Sequence, residues 1–126
     1  MAHILVIDDE RMLRFLIRSV FESAGHTVAE APDGRVAFDI LEMYPRLFDL
    51  IVLDLQMAHM GGIEFLSILH SEMVYPPIIV LTGHIGSNKN TLGQKVSGYL
   101  TKPFKNRDLI EMVNSRLNLN SSQRLA

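Results

Sequence analysis

The sequence predicts an α/β protein: a parallel sheet of five strands with helices on both faces. Two observations predict it. Short, nearly all-apolar runs alternate along the chain with longer segments whose apolar residues recur at helical spacing. The central runs also lack apolar–polar alternation, as strands covered on both faces do. With 126 residues, 48% of them hydrophobic, the chain has the size of one domain and can fill one sizeable core.

The first strand is Ile4-Leu5-Val6-Ile7, which ends in two acids. A helix follows over Met12–Ala24, with Leu13, Leu16, Ile17, Val20, Phe21 and Ala24 at its period, and Gly25 stops it. Thr27–Ala31 is a second, shorter strand at an edge. Pro32-Asp33-Gly34 then turns the chain into a helix reaching about Met43, with Pro45 just beyond. Leu50-Ile51-Val52-Leu53 is the third and most apolar strand. Gly61-Gly62 opens a loop before the helical pattern Ile63, Phe65, Leu66, Ile68, Leu69. Pro76-Pro77 precedes the fourth strand, Ile78–Leu81.

Gly83–Val96 should supply the fourth helix, but Gly86, Asn88, Asn90, Thr91 and Gly93 form helix poorly. A short or irregular helix over about Lys89–Lys95 is expected there. Gly98–Thr101 is the fifth strand, and a last helix runs from Asn106 to Leu117 with Leu109, Ile110, Val113 and Leu117 on one face. The folded unit is expected over residues 1–118, with 119–126 a polar, frayed tail or the start of a linker.

Composition narrows the function. A net charge of −2 argues against nucleic-acid binding held by bulk charge. The chain has no cysteine, so disulfides, thiolate metal sites and Cys nucleophiles are excluded. Met1-Ala2-His3 leads straight into an apolar run without a basic leader, and no apolar stretch nears the roughly 20 residues that span a bilayer. A cytoplasmic protein without membrane contact is expected.

In a parallel sheet, ligands bind beyond the carboxyl ends of the strands. There the sequence places Asp8 and Asp9 after the first strand, Asp54 after the third, Thr82 after the fourth and Lys102-Pro103 after the fifth. A single aspartate at a strand end is ordinarily a turn or cap residue; a set spread over four strand ends is a site. Crowded carboxylates repel one another, and a hard divalent cation relieves that conflict. Oxygen ligands without His or Cys suit Mg²⁺. The hydroxyl and the ammonium can hold anionic oxygens, an arrangement suited to phosphoryl transfer with a carboxylate nucleophile.

These residues carry a resemblance. Ile4–Glu10, Ala31–Gly34, Asp49–Met57, Met60–Gly62, Ile79–Gly83 and Tyr99–Phe104, in this order and spacing, resemble the receiver domain of two-component response regulators over essentially the whole chain. The resemblance implies a flavodoxin-like fold with strand order 2-1-3-4-5. It implies that Asp54 accepts a phosphoryl group from a phosphohistidine on a sensor histidine kinase or a histidine phosphotransfer protein. Asp8, Asp9, Asp54 and the Gln56 backbone carbonyl would hold Mg²⁺, and Thr82 and Lys102 would bind phosphoryl oxygens. Thr82 and Tyr99 would form the switch, read out on the fourth helix, fifth strand and fifth helix by an output domain or target protein. The Lys102–Pro103 bond would be cis. Gln56 would tune the lifetime of the phosphate, and His84, at the rim, would either do the same or be a solvated loop histidine. The state implied is a monomer or a phosphorylation-dependent dimer, and the protein would not be a multiple-turnover enzyme.

The sequence departs from that pattern at Ala58, where proline is usual, and by about two residues missing between Thr82 and Lys102. The basic stripe Arg11, Arg14, Arg18 is a solvated face or a kinase-docking surface, and Phe15 lies on the polar side of the same helix. Two other readings use the same residues. One is a small phosphatase of the haloacid-dehalogenase type, although its Asp-x-Asp motif after the first strand is replaced by Asp8-Asp9-Glu10. The other is a pseudo-receiver that only binds partners, against which stands the complete set of site residues.

Overall fold

A computed structural model describes residues 1–57, 60–83 and 95–125, with side chains described to residue 118. Ala58, His59 and the 84–94 segment lie outside the described residues, and with them the expected fourth helix and His84. The elements are β1 (His3–Ile7), α1 (Arg11–Ser23), β2 (Thr27–Ala31), α2 (Gly34–Met43), β3 (Leu50–Asp54), α3 (Gly62–Glu72), β4 (Ile78–Thr82), β5 (Gly98–Thr101) and a C-terminal helix, α4 (Asn106–Leu125).

The strands form one sheet in the order β2-β1-β3-β4-β5, every pair parallel, as expected. Side chains alternate between its faces. Leu5, Ile7, Ile51, Leu53, Ile78 and Val80 enter one core with Ala37 and Leu41 of α2 and Phe65, Leu66 and Leu69 of α3. Ile4, Val6, Leu50, Val52, Ile79 and Leu81 enter the other with Ile17 and Phe21 of α1 and Leu109 and Val113 of α4. Every residue of β3 and β4 is buried. Covering both faces explains why these strands read as unbroken apolar runs.

Local signals set the boundaries. Gly25 takes φ +91°, His26 N–H donates to Phe21 O and Gly25 N–H to Glu22 O, closing α1 as a glycine cap does. The Asp33 carboxylate accepts from Val36 N–H at 2.9 Å and starts α2. Gly61 is the N-cap of α3 and Gly62 its first residue, so the loop expected at Gly61-Gly62 closes sooner. The expected stop of the last helix at Leu117 is not observed. Helix α4 continues to Leu125, because no glycine or proline follows Pro103 to end it.

Candidate functional site

Strand order reverses between β1 and β3, since α1 leads to one side of β1 and α3 to the other side of β3. The carboxyl ends of these two strands therefore open a crevice. Asp8 follows β1 directly, and its N–H donates to Ala31 O, extending the ladder with β2. Asp54 is the last residue of β3, register partner of Leu81. Thr82 ends β4 opposite Thr101, and Lys102 N–H donates to Thr82 O at 2.7 Å, tying the two strand ends.

The structure brings the acidic residues together. Asp8, Asp9 and Asp54 each offer a carboxylate oxygen, all within 4.8 Å of one another. Asp8 and Asp54 are buried and Asp9 is exposed. Lys102 Nζ lies 3.3 Å from Asp54 Oδ1, which also accepts from Gln56 N–H at 3.1 Å. Burial pushes the Asp8 carboxyl from 3.8 up to about 6, reinforced by the charges of Asp54 and Asp9 and opposed by the Glu10 N–H bond and Lys102. Among the described residues Asp8 Oδ2 is buried without a hydrogen-bond partner, while Oδ1 accepts from Glu10 N–H.

A buried carboxylate oxygen with no donor, beside two further carboxylates, fits a hard divalent cation that takes oxygen ligands. Of the three carboxylates, Asp54 is the one paired with Lys102. Thr82 is fully buried. Tyr99 is half-buried, opposite Val80, and packs against the core shared by α2 and α3. The Lys102–Pro103 peptide is cis.

Two features escaped sequence reasoning. The Gln56 side chain, assigned only a tuning role, donates from Nε2 to Thr82 Oγ1 at 3.2 Å and accepts from Gly83 N–H through Oε1 at 3.1 Å. The arginines of the supposed stripe are engaged: Arg14 donates to Glu30 Oε1 and to Asp8 O, and Arg18 to Glu30 Oε2 and Glu22. Two of the three therefore stitch α1 to β2 and to the site. The visible signal was Glu30, a lone charge inside an otherwise uncharged strand. Phe15 is exposed, as expected.

The comparisons with known proteins agree with this geometry. A family model described as the response regulator receiver domain matches residues 4–114. The chain is 34% identical over 119 residues to the transcriptional regulatory protein CpxR of Escherichia coli (strain K12), covering 93% of this chain and 50% of that protein. It is 30% identical over 131 residues to the alkaline phosphatase synthesis transcriptional regulatory protein SphR of Synechococcus elongatus, covering 97% and 51%. The chain thus spans about half the length of these relatives. Among solved structures, a response regulator receiver domain protein from Clostridium thermocellum superposes with a TM-score of 0.87 at 27% identity, covering 98% of this chain and 99% of that one. The chemotaxis protein CheY4 of Vibrio cholerae superposes with a TM-score of 0.80 at 30% identity, covering 92% and 98%.

Proposed function

The chain belongs to the response regulator receiver family, and from that premise we propose that Asp54 accepts a phosphoryl group from a phosphohistidine of a sensor histidine kinase or histidine phosphotransfer protein. The observation that carries this reading is the Asp54 carboxylate, buried at the end of β3 beside Asp8 and Asp9 and 3.3 Å from Lys102 Nζ. A carboxylate oxygen of Asp54 attacks phosphorus, forming an acyl phosphate as the phosphorus–nitrogen bond breaks. The electron pair of that bond returns to the departing imidazole. Lys102 balances the negative charge on the transferring oxygens, and the Thr82 hydroxyl donates to one of them.

Asp8, Asp9, Asp54 and the Gln56 carbonyl are the groups that would hold Mg²⁺, whose charge, when bound, neutralises the crowded carboxylates and the phosphoryl oxygens. Phosphorylation adds close to two negative charges beside Lys102. Thr82 is drawn inward, Tyr99 follows on the same face, and the surface around β5 and α4 changes. An output domain or target protein reads that surface, from a monomer or a phosphorylation-dependent dimer. Residues 1–118 form the signalling unit, with 119–126 a tail or the start of a linker into which α4 runs as far as Leu125. No helix among the described residues is long and apolar enough to cross a membrane; the proposed location is the cytoplasm. The reading is a signalling module rather than an enzyme turning over small substrates.

Intact mass after incubation with acetyl phosphate and Mg²⁺ tests this. The native chain is expected to gain one acid-labile, hydroxylamine-sensitive phosphoryl group, and Asp54→Ala none. Labelling that survives the substitution removes Asp54 from its role. A folded native chain that never labels is a pseudo-receiver, and multiple turnover of a small phosphate ester makes it a phosphatase.

A further inference from the structure

Gln56 touches the site three times. Its N–H donates to Asp54 Oδ1, its Nε2 to Thr82 Oγ1, and its Oε1 accepts from Gly83 N–H at 3.1 Å. The orientation of the side-chain amide follows from chemistry. Gly83 N–H can only donate, so the amide oxygen must face it, which turns the NH₂ toward Thr82. The Gln56 carboxamide thus occupies two neighbouring groups at the mouth of the crevice, a backbone donor and a hydroxyl, that lie at the end of β4 beside Asp54.

We infer that the Gln56 side chain is an internal competitor of the phosphoryl group, its amide oxygen filling the anion-accepting position at Gly83 N–H and its NH₂ holding Thr82 until Asp54 is modified. The inference rests on the reading of Asp54 as phospho-acceptor. A backbone N–H has one hydrogen and serves one strong acceptor at a time. A phosphoryl oxygen on Asp54 that takes the Gly83 N–H must displace Gln56 Oε1, and movement of Thr82 toward that group must stretch the bond from Nε2. Gln56 is a positioning residue here. Its backbone N–H and carbonyl persist whatever its side chain, so substitution isolates the competition. Because Gln56 is itself exposed, the pair of bonds is worth a modest rather than a large factor.

The test uses Gln56→Met, which keeps the length and loses the amide, and Gln56→Glu, which keeps an acceptor for Gly83 N–H. Two quantities are read at saturating Mg²⁺: hydrogen exchange of the Gly83 amide in the unmodified protein, and the half-saturating concentration of beryllofluoride, a non-covalent phosphoryl mimic, followed by amide NMR. Gln56→Met is expected to speed Gly83 exchange and to lower the half-saturating concentration, each by about three- to tenfold. Gln56→Glu is expected to keep Gly83 exchange within about twofold of native, as one surviving hydrogen bond requires. Unchanged exchange and unchanged titration in Gln56→Met overturn the inference, as does faster exchange without tighter binding. A native protein that does not bind beryllofluoride with Mg²⁺ at all refutes instead the reading of Asp54, so the two failures are distinguishable.

Discussion

Asp8→Asn is the sharpest perturbation of the acidic cluster. The folded protein holds the Asp8 carboxyl at about 6 against 3.8 for the free group, chiefly through burial and then through the charges of Asp54 and Asp9. A folded-state value above the unfolded one means that the native state prefers the proton. The associated stability is fully present below about pH 4 and is lost as pH rises through about 6. By pH 8 the ionised group costs the metal-free fold about 3 kcal/mol, at 1.36 kcal/mol per tenfold change in proton affinity. Asparagine removes that charge, keeps an oxygen for the Glu10 N–H, and puts an NH₂ where Oδ2 is buried without a donor. Without divalent cations at pH 8, the variant is expected to be about 2–3 kcal/mol more stable than the native protein by urea unfolding, or to melt about 8–10 °C higher. The gap should close at pH 4, where the native carboxyl is protonated. Added Mg²⁺ should reverse the order at pH 8, because the native site gains binding energy by mass action and the variant has lost a ligand. A variant less stable than native in EDTA at pH 8, or a gap unchanged between pH 4 and 8, would refute the claim that Asp8 is a strained, cation-seeking carboxylate.

Three further outcomes follow from single positions. A Cβ on Gly62 would lie 2.7 Å from Leu55 Cα and 3.0 Å from Asp54 O, so Gly62→Ala should lose about 2–3 kcal/mol by denaturant unfolding and broaden the amide signals of Asp54–Gln56. His26 accepts from Ala2 N–H through Nδ1, and burial, aided by the positive amino terminus, holds its pKa below 6.5. Its stability contribution is present above pH 6.5 and lost as pH falls; in the Asp8→Asn background, where the opposing acid is gone, His26→Gln should flatten the loss of melting temperature between pH 7.5 and 5.5. Glu30, kept below the usual carboxylate range first by its bond to Arg18, ties β2 to α1 from a side chain 26% exposed, so Glu30→Ala should cost only about 1 kcal/mol in a salt-sensitive way.

The parts of this molecule legible in the sequence are those that burial and chain direction determine. Ile4–Ile7, Leu50–Leu53 and Ile78–Leu81 are buried on both faces, and such a strand admits almost nothing but apolar residues. The polar residue that ends each run stands out for the same reason, and parallel pairing sends all of those ends to one edge of the sheet. Asp8, Asp9, Asp54, Thr82 and Lys102 could therefore be assembled before any coordinates. The bonds of Gln56 could not. A glutamine after a strand has several rotamers, and only the approach of β4 to β3 brings Thr82 and Gly83 within its reach. The pairing of Arg14 and Arg18 is illegible for a related reason. Their helical spacing is visible in the sequence, but their partner Glu30 lies on a strand that becomes a neighbour only after the chain turns at Gly25. Helix α4 runs past Leu117 because the modest propensity cost of Asn118, Asn120, Ser121 and Ser122 does not end a helix that lacks a glycine or proline breaker.

The division between fixed and adjustable parts of the site follows from the same packing. Asp54 ends β3 and Asp8 follows β1, strands whose residues from Ile4 to Leu53 along the shared pairing are essentially without exposed surface, so neither strand can shift without opening a cavity. Thr82 is equally buried at the end of β4; its carbonyl accepts from Lys102 N–H at 2.7 Å and its hydroxyl from the exposed Gln56. Beyond it the chain leaves the sheet, and β5 is an edge strand with intermediate burial. On this side of Asp54 the packing is tight through β4 and loosens at β5. If Asp54 takes the charge proposed for it, a displacement at Thr82 would pass through the Lys102 N–H bond to its carbonyl onto β5. On that proposal the signal would leave along the β5 edge, on the side where Tyr99 sits.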